Sequence, residues 1–307
     1  MPLYGAYGLV LDCARPLPLA AAADGAGPRV EIAVALGRPA TAPVPVRQRE
    51  LNRDGADWSL EFREPDGAWL DYVYSAGPRA LTVTGSVDWD EAVPPLLGVV
   101  CAVLLASAGT PLLHGAAMAF DGEAIGILGA SGQGKSTLAA GLLKGGGRLL
   151  SEDLLVISKR GEEFEVEPGY ARISLLPDSH EALGYAGGAP RPRRGTGKSW
   201  IEAAASAEPV PIRRLYILAP PDPAAPDGRA RLLPRFAAAA ALVRQLYGVS
   251  WIRPAGETDL ALCGRLAARV PTFTLSRPVS LARVETCAAM LAGGSRCGGQ
   301  AGATGSG

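Results

Sequence analysis

Short segments of alternating apolar and polar residues, separated by turn residues, fill the first 87 positions of the chain. Segments 7–11, 30–34, 58–62 and 80–84 have the two-residue period of half-buried β-strands. Glycine, proline and Asp-Gly pairs lie between them and indicate turns. The pattern predicts a small β-rich module over residues 1–87. No group of chemically reactive side chains stands out in it, so a recognition role and a packing role both stay open.

A longer apolar run follows and has the character of a helix. Residues 88–107 are expected to form it, with Asp88 as the N-terminal cap and with Pro94 and Pro95 either early in the helix or breaking it. The most apolar part, 96–108, has 13 residues, fewer than the roughly 20 that a membrane span needs. The run is therefore interpreted as a helix of the protein core.

The remaining chain alternates strand-like and helix-like segments, which predicts an α/β domain over residues 88–292. Asp121-Gly122 between two apolar runs indicates a β-hairpin over 112–120 and 123–128. Further strands are expected at 148–150, 154–158, 164–166, 213–219 and 272–275, and helices at 136–144, 236–247, 259–269 and 280–292. Residues 186–198 are expected to be a mobile loop, and 293–307 a disordered tail.

Charge and cysteine content narrow the class of protein. Lys and Arg number 30 and Asp and Glu number 30, so no broad basic field favours nucleic acid or an anionic membrane as a partner. The five cysteines are scattered without metal-binding spacing, which argues against a disulfide framework or a zinc site. The N-terminus lacks the pattern of a signal peptide. The chain is therefore expected to be cytoplasmic.

The strongest chemical signal is the sequence G-A-S-G-Q-G-K-S at 129–136, a complete phosphate-binding loop. A predicted strand enters it and a predicted helix leaves it, so the positive end of the helix faces the bound anion. Only four lysines occur in the chain, which makes a chance match rare. ATP with Mg²⁺ is the expected ligand, and the predicted nucleotide-binding residues are Gly129, Ala130, Ser131, Gly132, Gln133, Gly134, Lys135, Ser136 and Thr137.

An acidic pair and a histidine flank this loop in sequence. Glu152-Asp153 follows a short apolar segment, and a carboxylate there suits either Mg²⁺ binding or proton removal from a hydroxyl. A turn or helix cap is the competing interpretation. His114 lies in an apolar strand, where a hydrogen-bonded core histidine is the more common case. His180 carries no signal of its own.

Taken together, residues 113–157 resemble the catalytic core of the HPr kinase/phosphorylase family. That family has an HG-containing strand, then a loop of the form G-x-S-G-x-G-K-S, then an apolar stretch that ends in two acidic residues. Here these elements are His114-Gly115, 129–136 and Glu152-Asp153. The overall pattern is similar to divergent members from bacterial gene clusters, including kinases that phosphorylate lasso-peptide precursors on a serine.

The resemblance implies a fold and a role for each matched residue. The expected fold is α/β, with a P-loop-containing mixed sheet of the HPr kinase and PEP carboxykinase type and a smaller β-rich N-terminal module. Lys135 and His114 are expected to act on the phosphates, Asp153 to take the proton of an acceptor serine, and Glu152 to assist. The implied metal ligands are Ser136, Glu152 and Asp153. The related enzymes are oligomers, which suggests a homo-oligomer here.

The family's second signature, E-I-R-G-L-G, is not intact. The corresponding segment 170–175 reads Y-A-R-I-S-L, which keeps Arg172 but lacks the glutamate. Asp178 is a candidate replacement, and the phosphorolysis tied to that signature is not expected to carry over. Additional cationic contacts are assigned to Arg172 and to a basic segment, for which a solvated loop is the favoured alternative; this segment contains Arg191, Arg193, Arg194 and Lys198.

The sequence thus predicts an ATP- and Mg²⁺-dependent kinase that acts on a serine hydroxyl of a peptide or small protein. Two alternatives stay open: a kinase for a small-molecule hydroxyl, and a nucleotide-gated regulatory ATPase without phosphotransfer. A base beside the acceptor is needed only for transfer, so the acidic pair and His114 favour a kinase over a switch.

Overall fold

The computed structural model describes residues 2–22, 27–44, 46–185, 191–193, 197–203, 205–225, 227–278 and 280–296, with the backbone alone for 191–193 and 294–296. Most of the segment expected to be a mobile loop lies outside these residues, as do Arg194 and the tail from residue 297. The last predicted helix is placed later than expected, since it runs from Val284 to Arg296.

Seven strands form one sheet in the N-terminal part of the chain, in the order β1-β2-β3-β7-β6-β5-β4. Among the described residues of this sheet, the parallel pairs are those of β3 with β2 and of β3 with β7. Alternate side chains are buried along β5 and β7, as a two-residue period requires. The strands are β1 Leu3–Ala6, β2 Leu9–Cys13, β3 Arg29–Leu36, β4 Gln48–Asp54, β5 Asp57–Arg63, β6 Trp69–Ser75 and β7 Ala80–Gly85.

One long helix, Trp89–Ser107, connects this sheet to the rest of the chain. It consists of α1 (Trp89–Pro95), a π-helical turn (Leu96–Val100) and α2 (Cys101–Ser107). Asp88 caps it as expected, since Glu91 N donates to Asp88 Oδ1 at 2.8 Å. The prolines do not break the helix; the π turn follows them directly. The helix is long and apolar enough to cross a membrane, but 67% of its most apolar window is buried inside the protein, as expected of a core helix.

The described residues of the second part of the chain form a nine-stranded mixed sheet, a three-stranded sheet, five α-helices and one short 3-10 helix, Leu281–Arg283. The large sheet contains β8 Leu113–Phe120, β9 Glu123–Leu128, β10 Arg148–Ser151, β11 Leu154–Leu155, β12 Ile157–Arg160, β13 Glu163–Val166, β17 Val210–Ala219, β18 Arg229–Leu232 and β19 Thr272–Ser276. The small sheet contains β14 Arg172–Leu175, β15 Arg191–Arg193 and β16 Lys198–Glu202. The helices are α3 Lys135–Lys144, α4 Pro177–Ala182, α5 Arg235–Val243, α6 Glu257–Arg269 and α7 Val284–Arg296.

The parallel strands at the centre of the large sheet position the candidate site. Strand β17 pairs in parallel with β9 on one side and with β19 on the other. The carboxyl ends of these three strands therefore meet at one edge, where α/β sheets commonly bind ligands. Helices α3 and α7 pack in a core on one face of the sheet, and α5 and α6 in a core on the other. The mixed α/β architecture that the sequence predicts is confirmed at this level.

Candidate active site

The glycine-rich segment 129–134 forms the turn between β9 and α3. Gly132 and Gly134 have φ angles of +80° and +85°, a backbone region that residues with a Cβ enter only with strain. Gln133 folds back over the turn, and its Oε1 accepts from Ala130 N at 2.7 Å. Helix α3 begins at Lys135, so its unpaired N–H groups face the turn. The segment thus has the strand, turn and helix context of an anion site.

Lys135 lies against this turn and not in solvent. Its Nζ donates to Gly129 O at 2.9 Å and to Ala130 O at 3.1 Å, and the residue is 7% exposed. Burial lowers the pKa of Lys135; the negative charges of Asp153 and Glu152 oppose this shift, and the positive charge of Lys198 adds to it. The charges of Asp153, Glu152 and Lys198 are therefore close enough to Lys135 to interact with it.

The acidic pair occupies a tight turn between β10 and β11. Asp153 has a φ angle of +66°, and Leu154 N donates to Glu152 O at 2.8 Å, which is the hydrogen bond of a γ-turn. Non-glycine residues in this region are uncommon and carry strain, a feature that is concentrated at functional sites. The turn directs the two carboxylates differently: the side chain of Asp153 is 48% exposed, whereas buried Glu152 accepts from Ser174 N at 3.2 Å.

His114 stands opposite this turn, because β8 pairs with β11 in a register that aligns His114 with Leu154. Its Nε2 lies 3.9 Å from Asp153 Oδ1, and its ring meets the Tyr247 ring edge-on. Burial lowers the pKa of His114, and the charges of Lys135 and Lys198 lower it further, while Asp153 opposes them. The imidazole is therefore neutral at pH 7 and lies beside the carboxylate.

Two cationic residues near the loop differ from the sequence predictions: Lys198 was interpreted as part of a solvated loop, and Arg277 was not predicted as a site residue. Lys198 begins strand β16, and its charge acts on both His114 and Lys135, so the solvated-loop interpretation is wrong for this residue. Arg277 directly follows β19, and a Cβ built on Gly134 would lie 3.7 Å from its Cζ. Its Nε is buried and has no hydrogen-bond partner in the described part of the chain. The available signal was a cation at the end of a predicted strand.

The N-terminal module reaches the acidic turn through Tyr7. Tyr7 N donates to Pro168 O at 2.7 Å, and Tyr170 N donates to the Tyr7 hydroxyl at 3.1 Å. A Cβ at position 169 would lie 2.0 Å from the Tyr7 ring, so only glycine fits there. Burial raises the pKa of Tyr7, and the Asp153 charge adds to the shift. The first 87 residues therefore form part of the surroundings of Asp153.

The side chains near the loop are better suited to a metal ion that binds together with the phosphates than to a metal ion held by the protein alone. The described residues contain no group of three or more His, Cys, Asp or Glu side chains that would hold a metal ion. Mg²⁺ commonly takes one or two protein oxygens together with phosphate oxygens and water. Ser136 offers a half-buried hydroxyl on the first turn of α3. The Thr137 hydroxyl lies 3.2 Å from Ser179 Oγ, and exposed Asp178 accepts from Ser179 N at 2.7 Å.

No protein-family model matches the chain, and no curated protein matches it. Among solved structures, the chain is similar to the Hpr(Ser) kinase/phosphatase from Coxiella burnetii. The sequence identity is 14%, the match covers 60% of this chain and 98% of that one, and the TM-score is 0.31. A likeness at this level carries no argument about fold or function, so the proposed roles depend on the residues and geometry of this chain.

Proposed function

We propose that the protein is an ATP- and Mg²⁺-dependent kinase that transfers the γ-phosphate to a serine hydroxyl of a peptide or small protein, for which a lasso-peptide precursor is one candidate. The observation that carries the proposal is the convergence of three groups. The carboxylate of Asp153 lies 3.9 Å from the imidazole of His114, and the charge of Lys135 on the glycine-rich loop acts on both. A phosphate loop beside a half-exposed carboxylate is the arrangement that phosphoryl transfer to a hydroxyl requires.

Each residue has a role in this reaction. The backbone N–H groups of the loop and Lys135 hold the triphosphate, and the Ser136 hydroxyl binds Mg²⁺, which supplies neutralising charge when bound. The serine oxygen attacks the γ-phosphorus, its proton passes to the carboxylate of Asp153, and ADP leaves with the electrons of the broken P–O bond. Neutral His114 has one N–H, which donates a hydrogen bond to the phosphoryl oxygens beside the carboxylate of Asp153. Buried Glu152 accepts a hydrogen bond from Ser174 N and so stabilises the turn that carries Asp153.

The two alternatives make different predictions about the product. A small-molecule kinase uses the same catalytic groups and differs only in the acceptor. A nucleotide-gated ATPase would release free phosphate, and it would not need the strained, half-exposed Asp153. We also propose that the protein works in the cytosol, since Cys13, Cys101, Cys263 and Cys287 are buried and free.

The product of the reaction tests the proposal. The protein is incubated with MgATP and peptides encoded beside its gene, and also with a panel of metabolite alcohols, and each mixture is analysed by mass spectrometry. A gain of one phosphate on a peptide serine is the expected result. Phosphate on a metabolite alone would favour the second candidate. Free phosphate with no modified acceptor would overturn both kinase assignments.

Arg277 is expected to bind the phosphates of the nucleotide. A cation beside the N-terminus of α3, where the Arg277 guanidinium lies, is unfavourable unless an anion lies between them. A charged hydrogen bond is worth about 1.5–3 kcal/mol, so Arg277→Ala should weaken ATP binding by roughly tenfold or more. Equilibrium binding of ATP and of adenosine measures this, and Arg277→Lys should restore part of the loss.

Arg283→Ala is the matched control, because that exposed arginine pairs with Asp227 at 3.3 Å. Its affinity for ATP should equal that of the unsubstituted protein. An equal loss of adenosine affinity in Arg277→Ala would show that Arg277 supports the fold or the base, and would contradict the assignment to the phosphates.

A further inference from the structure

A cavity of about 470 Å³ lies between the N-terminal module, the long helix and the acidic turn. Its walls include the side chains of Phe62 and Trp69 from the module and of Tyr170, Trp200 and Tyr247 from the second part of the chain. A cavity of this size, with aromatic side chains among its walls, is typical of ligand sites. No single module forms it, so it exists only because the two parts pack together.

The cavity opens onto the catalytic carboxylate and not onto the nucleotide loop. Glu152, Asp153 and Leu154 line it, whereas no residue of 129–136 does. Asp153 therefore stands between two spaces: the phosphate loop and the charge of Lys135 on one side, and the cavity on the other. An acceptor hydroxyl must approach from a side that the nucleotide does not occupy, and the cavity is on that side.

The charges that line the cavity define its ligand further. Among the described residues, six carboxylates and three guanidinium groups line it. All three guanidinium groups are engaged: Arg47 pairs with Glu64 at 2.8 Å, Arg49 stacks 4.3 Å from the ring centre of Trp251, and Arg172 lies 5.6 Å from the ring centre of Tyr170. The surplus of carboxylates attracts a cationic ligand, and the aromatic rings suit an apolar side chain or a cation.

The helix wall adds an independent sign of a binding function. Gly98 and Val99 line the cavity and belong to the π-helical turn, and such turns occur frequently at functional sites. A Cβ built on Gly98 meets no atom within 4 Å, apart from the neighbouring helix backbone and adjoining residues. The glycine therefore leaves space open in the cavity.

We propose that this cavity binds the acceptor as a peptide segment, with its serine at Asp153 and with apolar and basic side chains next to the serine. The inference depends on the proposed kinase function for the position of the serine, and on the lining of the cavity for the peptide class. The aromatic area and the surplus of carboxylates exceed what a small neutral alcohol would use. The N-terminal module then acts as the recognition wall of the enzyme.

Filling the cavity from Gly98 tests the inference. Gly98→Phe places a ring in the open space, and Gly264→Phe is the matched control, since Gly264 is an exposed glycine of α6 that also has open space at its Cβ. The probe is a synthetic library of serine-centred peptides with either basic or neutral flanking residues. We expect Gly98→Phe to lower kcat/KM for the library at least tenfold relative to the control, with equal MgATP affinity and melting temperature.

A second variant tests the charge. Asp90 lines the cavity in the first turn of α1, and Asp90→Asn should reduce the preference for basic over neutral peptides at least threefold. Transfer to the library by Gly98→Phe at the rate of Gly264→Phe would overturn the inference. Phosphorylation of a metabolite alcohol but of no library peptide by the control would overturn the peptide class.

Retention of the library on immobilised protein without nucleotide separates this inference from the proposed function. If immobilised Gly264→Phe retains the peptides and immobilised Gly98→Phe does not, the cavity is supported as a peptide site even when no phosphate is transferred. Absence of transfer in that case overturns the kinase function alone. Equal retention by both variants overturns the cavity as the peptide site, whatever the catalytic result.

Discussion

Asp153→Asn is expected to reduce phosphoryl transfer by about 10²–10⁴-fold, the usual contribution of a positioned general base, while nucleotide binding is retained. The carboxylate is half-exposed between the phosphate loop and the cavity, and His114 lies 3.9 Å away. An amide of the same shape keeps the contacts of the turn but cannot accept the proton of the serine. Single-turnover transfer with saturating MgATP, with ATP affinity measured in parallel, gives both quantities.

Asparagine is also the substitution that the backbone best tolerates. Asp153 has a φ angle of +66°, and Asn enters the left-handed region more readily than other residues with a Cβ. Asp121→Asn is the matched control, because Asp121 has a φ angle of +48° in the hairpin that opens β9. The loop lies at the far end of β9, about 20 Å away at 3.4 Å per residue. Transfer by Asp153→Asn at more than half the control rate would show that another group removes the proton.

The parts of the site that the sequence could predict are those set by neighbouring residues. The loop glycines, the helix after them and the Asp121-Gly122 hairpin follow from local backbone preferences, and each is found where it was expected. The cap of the long helix at Asp88 was predictable for the same reason. In these segments the residues that determine the structure are close neighbours in the sequence.

The rest of the site comes from pairing between distant segments. Arg277 lies beside the loop because β19 joins β17 in parallel, and the charge of Lys198 acts on His114 from strand β16, which pairs with β14. Strand β4, with the sequence Q-R-E-L-N-R-D, has mostly exposed side chains and thus lacks the alternation that identifies a strand. Two adjacent acidic residues in the sequence do not reveal the positive φ angle of Asp153. They also do not reveal that Glu152 is buried while Asp153 is half-exposed.

Removal of the Lys135 charge is expected to produce the other large loss. Lys135→Met keeps the apolar stem of the side chain but removes the ammonium group, whose contacts with phosphate are worth about 1.5–3 kcal/mol. ATP affinity should therefore fall by roughly 10–10²-fold, and transfer by more than that, because charge on the γ-phosphate grows in the transition state. The increase in melting temperature that MgATP produces should shrink accordingly.

The unliganded protein should not be destabilised in the same way. Burial lowers the pKa of Lys135, which means that the charged form is held at a cost that methionine does not have. We therefore expect Lys135→Met to melt no lower than the unsubstituted protein without nucleotide. Lys144→Met is the matched control in the same helix, where Lys144 bonds to Leu183 O at 2.9 Å and pairs with Glu285. A full MgATP-dependent rise in the melting temperature of Lys135→Met would contradict the assignment of Lys135 to the phosphates.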